Sequence, residues 1–278
     1  MVDLHAHTSE SDGSLSPAEL VALAGARGLD ALAITDHDTF AGFDRARQIT
    51  RPAGLDLLCG IELSTKFRSR SVHLLGYFPD RDPGMGFRDW VAGLRESRHS
   101  RNERLLDRLK TNGIAISTEE LRRRNGSLPG RPHIAAIMVE KGYVRSLQEA
   151  FDLYLDESAS CYVERQEPSF AEAVERIHAA GGISSLAHPY RVTRVARELE
   201  AFLGEMRLTG LAALEVHHSE HSPADVTRYA NLAAVLGFAV TGGSDFHGAT
   251  KPDIELGTGK NGNLRVPVSV VERLRASI

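Results

Sequence analysis

Residues 2–38 read "VDLHAHTSESDGSLSPAELVALAGARGLDALAITDHD". The opening "VDL" is strand-like and runs directly into His5 and His7. In "SLSPAELVALAGARG", Ser16 is a helix N-cap, Pro17 takes the first helical position and Glu19 closes a capping box. Gly28 ends that helix, and "LDALAIT" reads as a buried strand running into "DHD". Strand, helix and strand at this spacing predict a parallel sheet with crossover helices.

Outward from that stretch the rhythm continues with a helix from about Phe43 to Thr50. Two strand-like runs follow, "GLDLLCGIELS" and "SVHLLGYF". From about Asp80 to Glu167 the pattern is helical. "FRDWVAGLRESRHSRNERLLDRLKTNG" predicts one long helix stopped near Gly113, and "STEELRRRNG" a second with its own capping box of Ser117 and Glu120. "GRPHIAAIMVEKG" and "SLQEAFDLYLDE" complete the group. Alternation then returns through "SFAEAVERIHAAGG", "ISSLAHPY", a helix up to about Met206, "LAALEVHHSEHS", another helix and "GFAVTGGSDFHG". The organisation is an α/β domain, barrel-like or open-sheet, made of residues 1–79 and 168–278 and interrupted by a helical insertion at 80–167. Between Arg88 and Arg131 eleven Lys/Arg stand against six Asp/Glu. Most of these charges are expected on a solvated helix face, with i,i+4 pairs such as Glu103 and Asp107 with nearby arginines.

Composition narrows the class. Of 278 residues, 42% are hydrophobic and 25% charged, which suits a packed globular protein. A net charge of −4 is too mild for a protein that coats nucleic acid or a membrane surface. Cys59 and Cys161 form no CxxC pair, so neither a thiolate zinc site nor a disulfide framework is expected. No apolar run reaches the ~18 residues of a membrane span, and the N-terminus lacks the pattern of a signal peptide. The expectation is a cytoplasmic protein with no membrane association and no obligate protein partner.

Alternate residues of a strand share a face, so His5 and His7 project together, as do Asp245 and His247 in "GGSDFH". His37, Glu62, His73 and His188 fall at the C-terminal ends of predicted strands, where loops of parallel α/β folds converge on a site. Asp12 lies in the loop after the first strand. Each residue alone has an ordinary explanation as a cap, a turn or a hydrogen-bonded strand end. Together, six histidines and three carboxylates around one cavity are electrostatically costly without a cation. Nitrogen and oxygen donors without thiolates suit Zn²⁺, Mn²⁺ or Fe²⁺, and nine donors suit two or three ions better than one.

"DLHAHTSESDG", "AITDHD", "GIELS", "VHLLGY", "LAHPY" and "GSDFH", in this order, resemble the polymerase and histidinol phosphatase (PHP) family of metal-dependent phosphoesterases. The helical insertion and "EVHHSEHSP" resemble one subgroup, the nucleotide 3′-phosphatases and short-RNA 5′→3′ exonucleases. The resemblance implies a distorted (β/α)7 TIM-like barrel with a trinuclear centre. His5, His7, Glu62 and Asp245 would hold the first metal. Glu62 would bridge to a second, completed by His73 and His188. Asp12, His37 and His247 would hold the third, where an aspartate in place of some relatives' histidine makes the site harder and more anionic.

A metal-activated hydroxide would then attack phosphorus, with the third ion neutralising phosphate oxygens. His218 is the expected partner of the leaving group, with His221 a weaker candidate and His217 on the opposite face. Phosphate recognition is expected from Arg131 and His133 at a helix start, and from Arg191 after "AHPY". The implied substrates are nucleoside 3′,5′-bisphosphates and short 5′-phosphorylated oligoribonucleotides. Alternatives are a phosphatase for a metabolite such as histidinol phosphate, an amidohydrolase or a non-catalytic PHP module. The amidohydrolase reading is disfavoured because no strand-end lysine is available to bridge metals; the complete donor set disfavours the non-catalytic one.

Overall fold

The computed structural model describes residues 1–68, 70–125 and 129–276. Its first half contains β1 (Val2–Ala6), α1 (Pro17–Ala26), β2 (Ala31–Ile34), α2 (Ala41–Ala46), β3 (Asp56–Phe67) and β4 (Arg70–Phe78). A helical stretch follows: α3 (Met85–Thr111), α4 (Thr118–Asn125), α5 (Arg131–Glu140) and α6 (Leu147–Ala150), the last continued by a π turn over Phe151–Leu155. The sheet resumes with α7 (Phe170–Ala179), β5 (Ile183–Leu186), α8 (Ala196–Leu208), β6 (Ala213–His218), α9 (Pro223–Leu236) and β7 (Ala239–Gly243). A short ribbon, β8 (Ile254–Glu255) with β9 (Gly259–Lys260), and α10 (Ser269–Ala276) end the described chain. Gly126, at the end of the second predicted helix, lies outside the described residues.

Local signals explain most boundaries. The capping box of Ser16 and Glu19 forms, with Pro17 opening α1. The long helix stops where Gly113 takes a φ of 81°, a conformation that favours glycine. The second helix is shorter and earlier than predicted, because the chain tightens into i,i+3 bonds at Gln48 and Ile49.

Seven strands form one sheet in chain order, β1 to β7. The prediction of a wholly parallel sheet needs correction. β1–β2–β3 and β5–β6–β7 are parallel, but β4 runs antiparallel to both neighbours. Too few residues separate Phe67 from Arg70 for a parallel return, which needs about a dozen. The reversal also corrects His73, which sits near the start of β4 rather than a strand's C-terminal end. Running backwards, β4 brings that start to the end of the barrel where the other strands finish. Glu62 is likewise mid-strand: it bridges to His37 just beyond β2, while β3 continues past it beside β4.

β7 leans back onto β1 and nearly closes the barrel. Asp245 N donates to His5 O (2.8 Å) and His7 N to Phe246 O (2.9 Å). A Cβ at Gly243 would lie 2.3 Å from His5 N, so glycine is what allows this approach. Leu58 and Tyr77 face an apolar cluster toward the other end of the barrel. The helical stretch has a cluster of its own, including Leu105, Leu109, Ile134, Met138 and Val163.

Candidate metal centre

The end of β1, the middle of β3 and the turn after β7 bring four donors onto one point. His5 Nε2 and His7 Nε2 each lie 3.2 Å from Glu62 Oε2, and 3.5 and 3.4 Å from Asp245 Oδ1. All four groups are buried. Donors about 2.0–2.1 Å from a shared tetrahedral centre stand roughly 3.3–3.4 Å apart, so these edges match a metal site. Both Nε2 atoms are buried without a hydrogen-bond partner. Buried polar atoms rarely stay unsatisfied, and the residues fit a divalent cation.

Glu62 divides its oxygens. Oε2 faces His5, His7 and His37 Nδ1 (3.3 Å), whereas Oε1 meets His73 Nδ1 at 2.9 Å and His188 Nε2 at 3.0 Å. That is the arrangement of a carboxylate able to serve two ions. A further group forms from Asp12, His37, His247 and His7. In it Asp12 Oδ1 is 3.3 Å from His247 Nε2 and 3.6 Å from His7 Nδ1, while Oδ2 is 3.7 Å from His37 Nε2. The structure thus brings all nine predicted donors together, and adds His7 to the third group.

Backbone strain marks the same places. His188 and Asp245 have φ of 26° and 57°, conformations that cost about 1–3 kcal/mol each and persist where the surroundings demand them.

The electrostatics of the donor groups are polarised. Burial disfavours charge on His7, but the carboxylates of Asp245, Glu62 and Asp12 crowded around it outweigh that and raise its pKa to about 9. His5 is likewise raised, burial being overcome by Glu215, Glu62 and Asp245. Burial dominates for His37 and His188, holding both near 3. Glu62 and Asp245 are pulled well below the usual carboxylate range despite burial, by histidines and, for Asp245, foremost by Lys251.

Sequence reasoning missed Glu215. It sits in β6 between Leu214 and Val216, wholly buried. Its Oε1 accepts from His5 Nδ1 (2.8 Å) and its Oε2 from the His188 backbone N–H (2.6 Å). It therefore fixes the His5 tautomer with Nε2 free for a metal. A carboxylate between apolar residues of a buried strand was the available signal.

His218 reaches the centre through an irregularity in β6 between Glu215 and His217; strict alternation would have presented His217. Its Nδ1 accepts from Glu220 N (3.0 Å), so the neutral ring carries hydrogen on Nε2, 3.5 Å from Asp245 Oδ2. His221 Nδ1 donates to Val216 O at 2.8 Å, and its ring packs on Tyr229 and Tyr190.

A cleft of about 280 Å³ opens over the donors, lined in part by Pro132, His133, His188, Arg191 and Lys251. Arg191 and His133 thus stand where predicted, whereas His218 and His221 are outside this lining. Arg131 is outside it too, since its guanidinium donates to Leu155 O (3.0 Å) and lies over Tyr162.

Most charges of α3 are exposed or half-buried, as a solvated helix face requires, but two arginines and the expected pairs depart from it. Arg98 and Arg101 are buried. Arg98 and Arg165 both donate to Asp38 Oδ2, at 2.6 and 2.9 Å. Arg101 has one hydrogen bond, Nε to Asn102 Oδ1 (3.0 Å), and no carboxylate within ion-pair distance among the described residues. Burial, then Arg98, Arg165 and Arg131, lowers its pKa to about 9. Arg104 and Arg108 reach backbone carbonyls of Glu164 and Tyr162 instead of the predicted acidic partners.

Comparison with known proteins identifies the family. The PHP domain family matches residues 3–218. The 5′-3′ exoribonuclease Rnm of Salmonella typhimurium is 36% identical over 259 residues, 92% of this chain and 87% of that protein. The 3′,5′-nucleoside bisphosphate phosphatase of Chromobacterium violaceum is 32% identical over 252 residues, covering 88% and 87%. The crystal structure of a candidate metal-dependent phosphoesterase from Bifidobacterium adolescentis superposes with a TM-score of 0.78 at 31% identity, covering 99% of this chain and 95% of its own.

Proposed function

The chain belongs to the PHP family of metal-dependent phosphoesterases, and from that premise we propose that it hydrolyses nucleotide phosphoesters. Its substrates would be nucleoside 3′,5′-bisphosphates, short 5′-phosphorylated RNA, or both. His5, His7, Glu62 and Asp245 would hold one divalent ion, Glu62 with His73 and His188 a second, and Asp12 with His37 and His247 a third. Oxygen and nitrogen donors fit Mn²⁺, Zn²⁺ or Fe²⁺. Bound there, such ions would lower the pKa of water and neutralise charge building on the phosphate oxygens.

The chain's own residues divide the remaining work. Glu62 and Asp245 place the donors, and Glu215 holds His5 and the turn before His188. His218, with its hydrogen on Nε2, is oriented to donate toward a leaving oxygen near Asp245. Arg191 on the cleft wall would orient phosphate. Residues 80–167 would cover the mouth and add a second anion subsite.

The observation that carries the nucleotide reading is the buried arginine patch. Arg98, Arg101 and Arg165 crowd together near the start of α5; Arg98 and Arg165 share Asp38, Arg165 also reaches Glu167 (3.4 Å), and among the described residues Arg101 contacts no carboxylate. A buried guanidinium with no carboxylate in contact is costly, and Glu167 is shared with Arg165. A second phosphate, beyond the one being hydrolysed, would supply it. A metabolite with one phosphate, such as histidinol phosphate, would leave the patch unused.

The test is a Mn²⁺-supplemented assay of adenosine 3′,5′-bisphosphate, 5′-phosphorylated tri- to pentaribonucleotides and histidinol phosphate. Turnover of either of the first two is expected. Phosphate release from histidinol phosphate alone would overturn the nucleotide reading.

A further inference from the structure

We propose that Lys251 is a substrate-phosphate contact, holding Asp245 with one N–H while presenting its others to a phosphate oxygen in the cleft. The assignment rests on the phosphoesterase reading above. It begins from an imbalance at one atom. Asp245 Oδ1 faces the His5–His7 pair, while Oδ2 turns toward three donors: Lys251 Nζ at 2.7 Å, His218 Nε2 at 3.5 Å and Arg191 Nη2 at 3.7 Å. A carboxylate oxygen has two lone pairs, and an ammonium alone brings three hydrogens. Donors therefore outnumber acceptors here. Asp245 is Lys251's hydrogen-bond partner among the described residues.

The lysine is also placed for the task. It lines the cleft and its side chain is about one-third exposed. The turn that carries it is pinned to the donor loops: Lys251 N donates to Gly248 O (3.0 Å), Thr250 Oγ1 to His247 O (3.0 Å) and Ala249 N to Ser14 Oγ (2.8 Å). A fixed turn with a flexible ammonium at its end suits an anion whose oxygens shift during reaction. The competing role is structural, in which Lys251 only neutralises Asp245.

Calorimetric titration of inorganic phosphate into Mn²⁺-loaded protein separates the two, with bound metal measured by atomic emission. Lys251→Ala should weaken phosphate binding roughly 10–100-fold, the worth of a charge-assisted hydrogen bond, with metal content unchanged. Lys251→Arg should recover most of the affinity. Lys251→Gln, which keeps most of the length and a neutral N–H for Asp245, should behave like the alanine variant and guards against a folding artefact. Unchanged phosphate affinity, or loss of metal in the Ala and Gln variants, would overturn the proposal. Wild-type protein that binds phosphate but cleaves neither nucleotide nor RNA would sink the substrate reading and leave Lys251 standing.

Discussion

Two buried charge clusters lie close together here and are built on opposite principles. At the barrel end, carboxylates converge with imidazole nitrogens that have no hydrogen-bond partner, a geometry that attracts cations. Under the helical stretch, the three guanidinia of Arg98, Arg101 and Arg165 converge on two carboxylates, Asp38 and Glu167, a geometry that attracts anions. Asp38 separates them: it follows His37 in sequence and accepts from both Arg98 and Arg165. Each cluster is under-neutralised alone, and a substrate with two phosphates, one held at the metal donors and the other at the arginines, would complete both.

Breaking the first cluster should have the largest effect. Glu62→Gln removes the carboxylate that faces both donor sets while preserving its shape. Bound metal should fall by more than one equivalent and kcat by roughly a thousandfold or more, checked by atomic emission and single-turnover kinetics. Glu215→Gln acts one step further out. It keeps the volume but loosens the His5 tautomer, so metal affinity should drop about 10–100-fold in a chelator competition titration. Full metal affinity in Glu215→Gln would remove its positioning role.

The pH response sharpens the contrast. His7 is raised from 6.5 to about 9, and His5 is raised as well. A raised histidine contributes stability in full below its unfolded value, and that stability is lost as pH climbs through the folded one. The Tm of metal-free protein should therefore fall between pH 6.5 and 9. Metal displaces those protons, so loaded protein should hold its Tm across the same window. Parallel curves would contradict the donor assignment.

The arginine cluster should respond in the opposite sense, and least. Arg101→Met removes a buried cation without a carboxylate partner, so Tm should stay constant or rise by roughly 2–4 °C per kcal/mol recovered. A clear fall by calorimetry would show that Arg101 is structural.

Sequence revealed these regions unequally, for physical reasons. The donors stood in short motifs at strand ends, where residue type announces chemistry, and the helix caps and the strand–helix rhythm placed them. The reversal of β4 was less legible, because strand direction depends on the length of a connection rather than on the strand itself. His73 was therefore expected beside Glu62, where it lies, but from the wrong geometry. Glu215 was hidden by its ordinary surroundings in "LEV". The arginines were hidden most completely. Arg98 and Arg101 sit in a helix whose charge density resembles a solvated face, and only tertiary packing against Asp38 and the segment before α7 buries them. Lys251 was missed for the same reason, since its partner Asp245 meets it through a turn.

The most direct test compares kcat/KM for adenosine 3′,5′-bisphosphate and adenosine 3′-monophosphate, using Mn²⁺-loaded wild type and Arg101→Met. The account predicts that wild type favours the bisphosphate by roughly 10–100-fold, chiefly through KM, and that the variant loses this preference while retaining kcat on the monophosphate. A wild-type ratio near one, or a preference that survives in Arg101→Met, would contradict it.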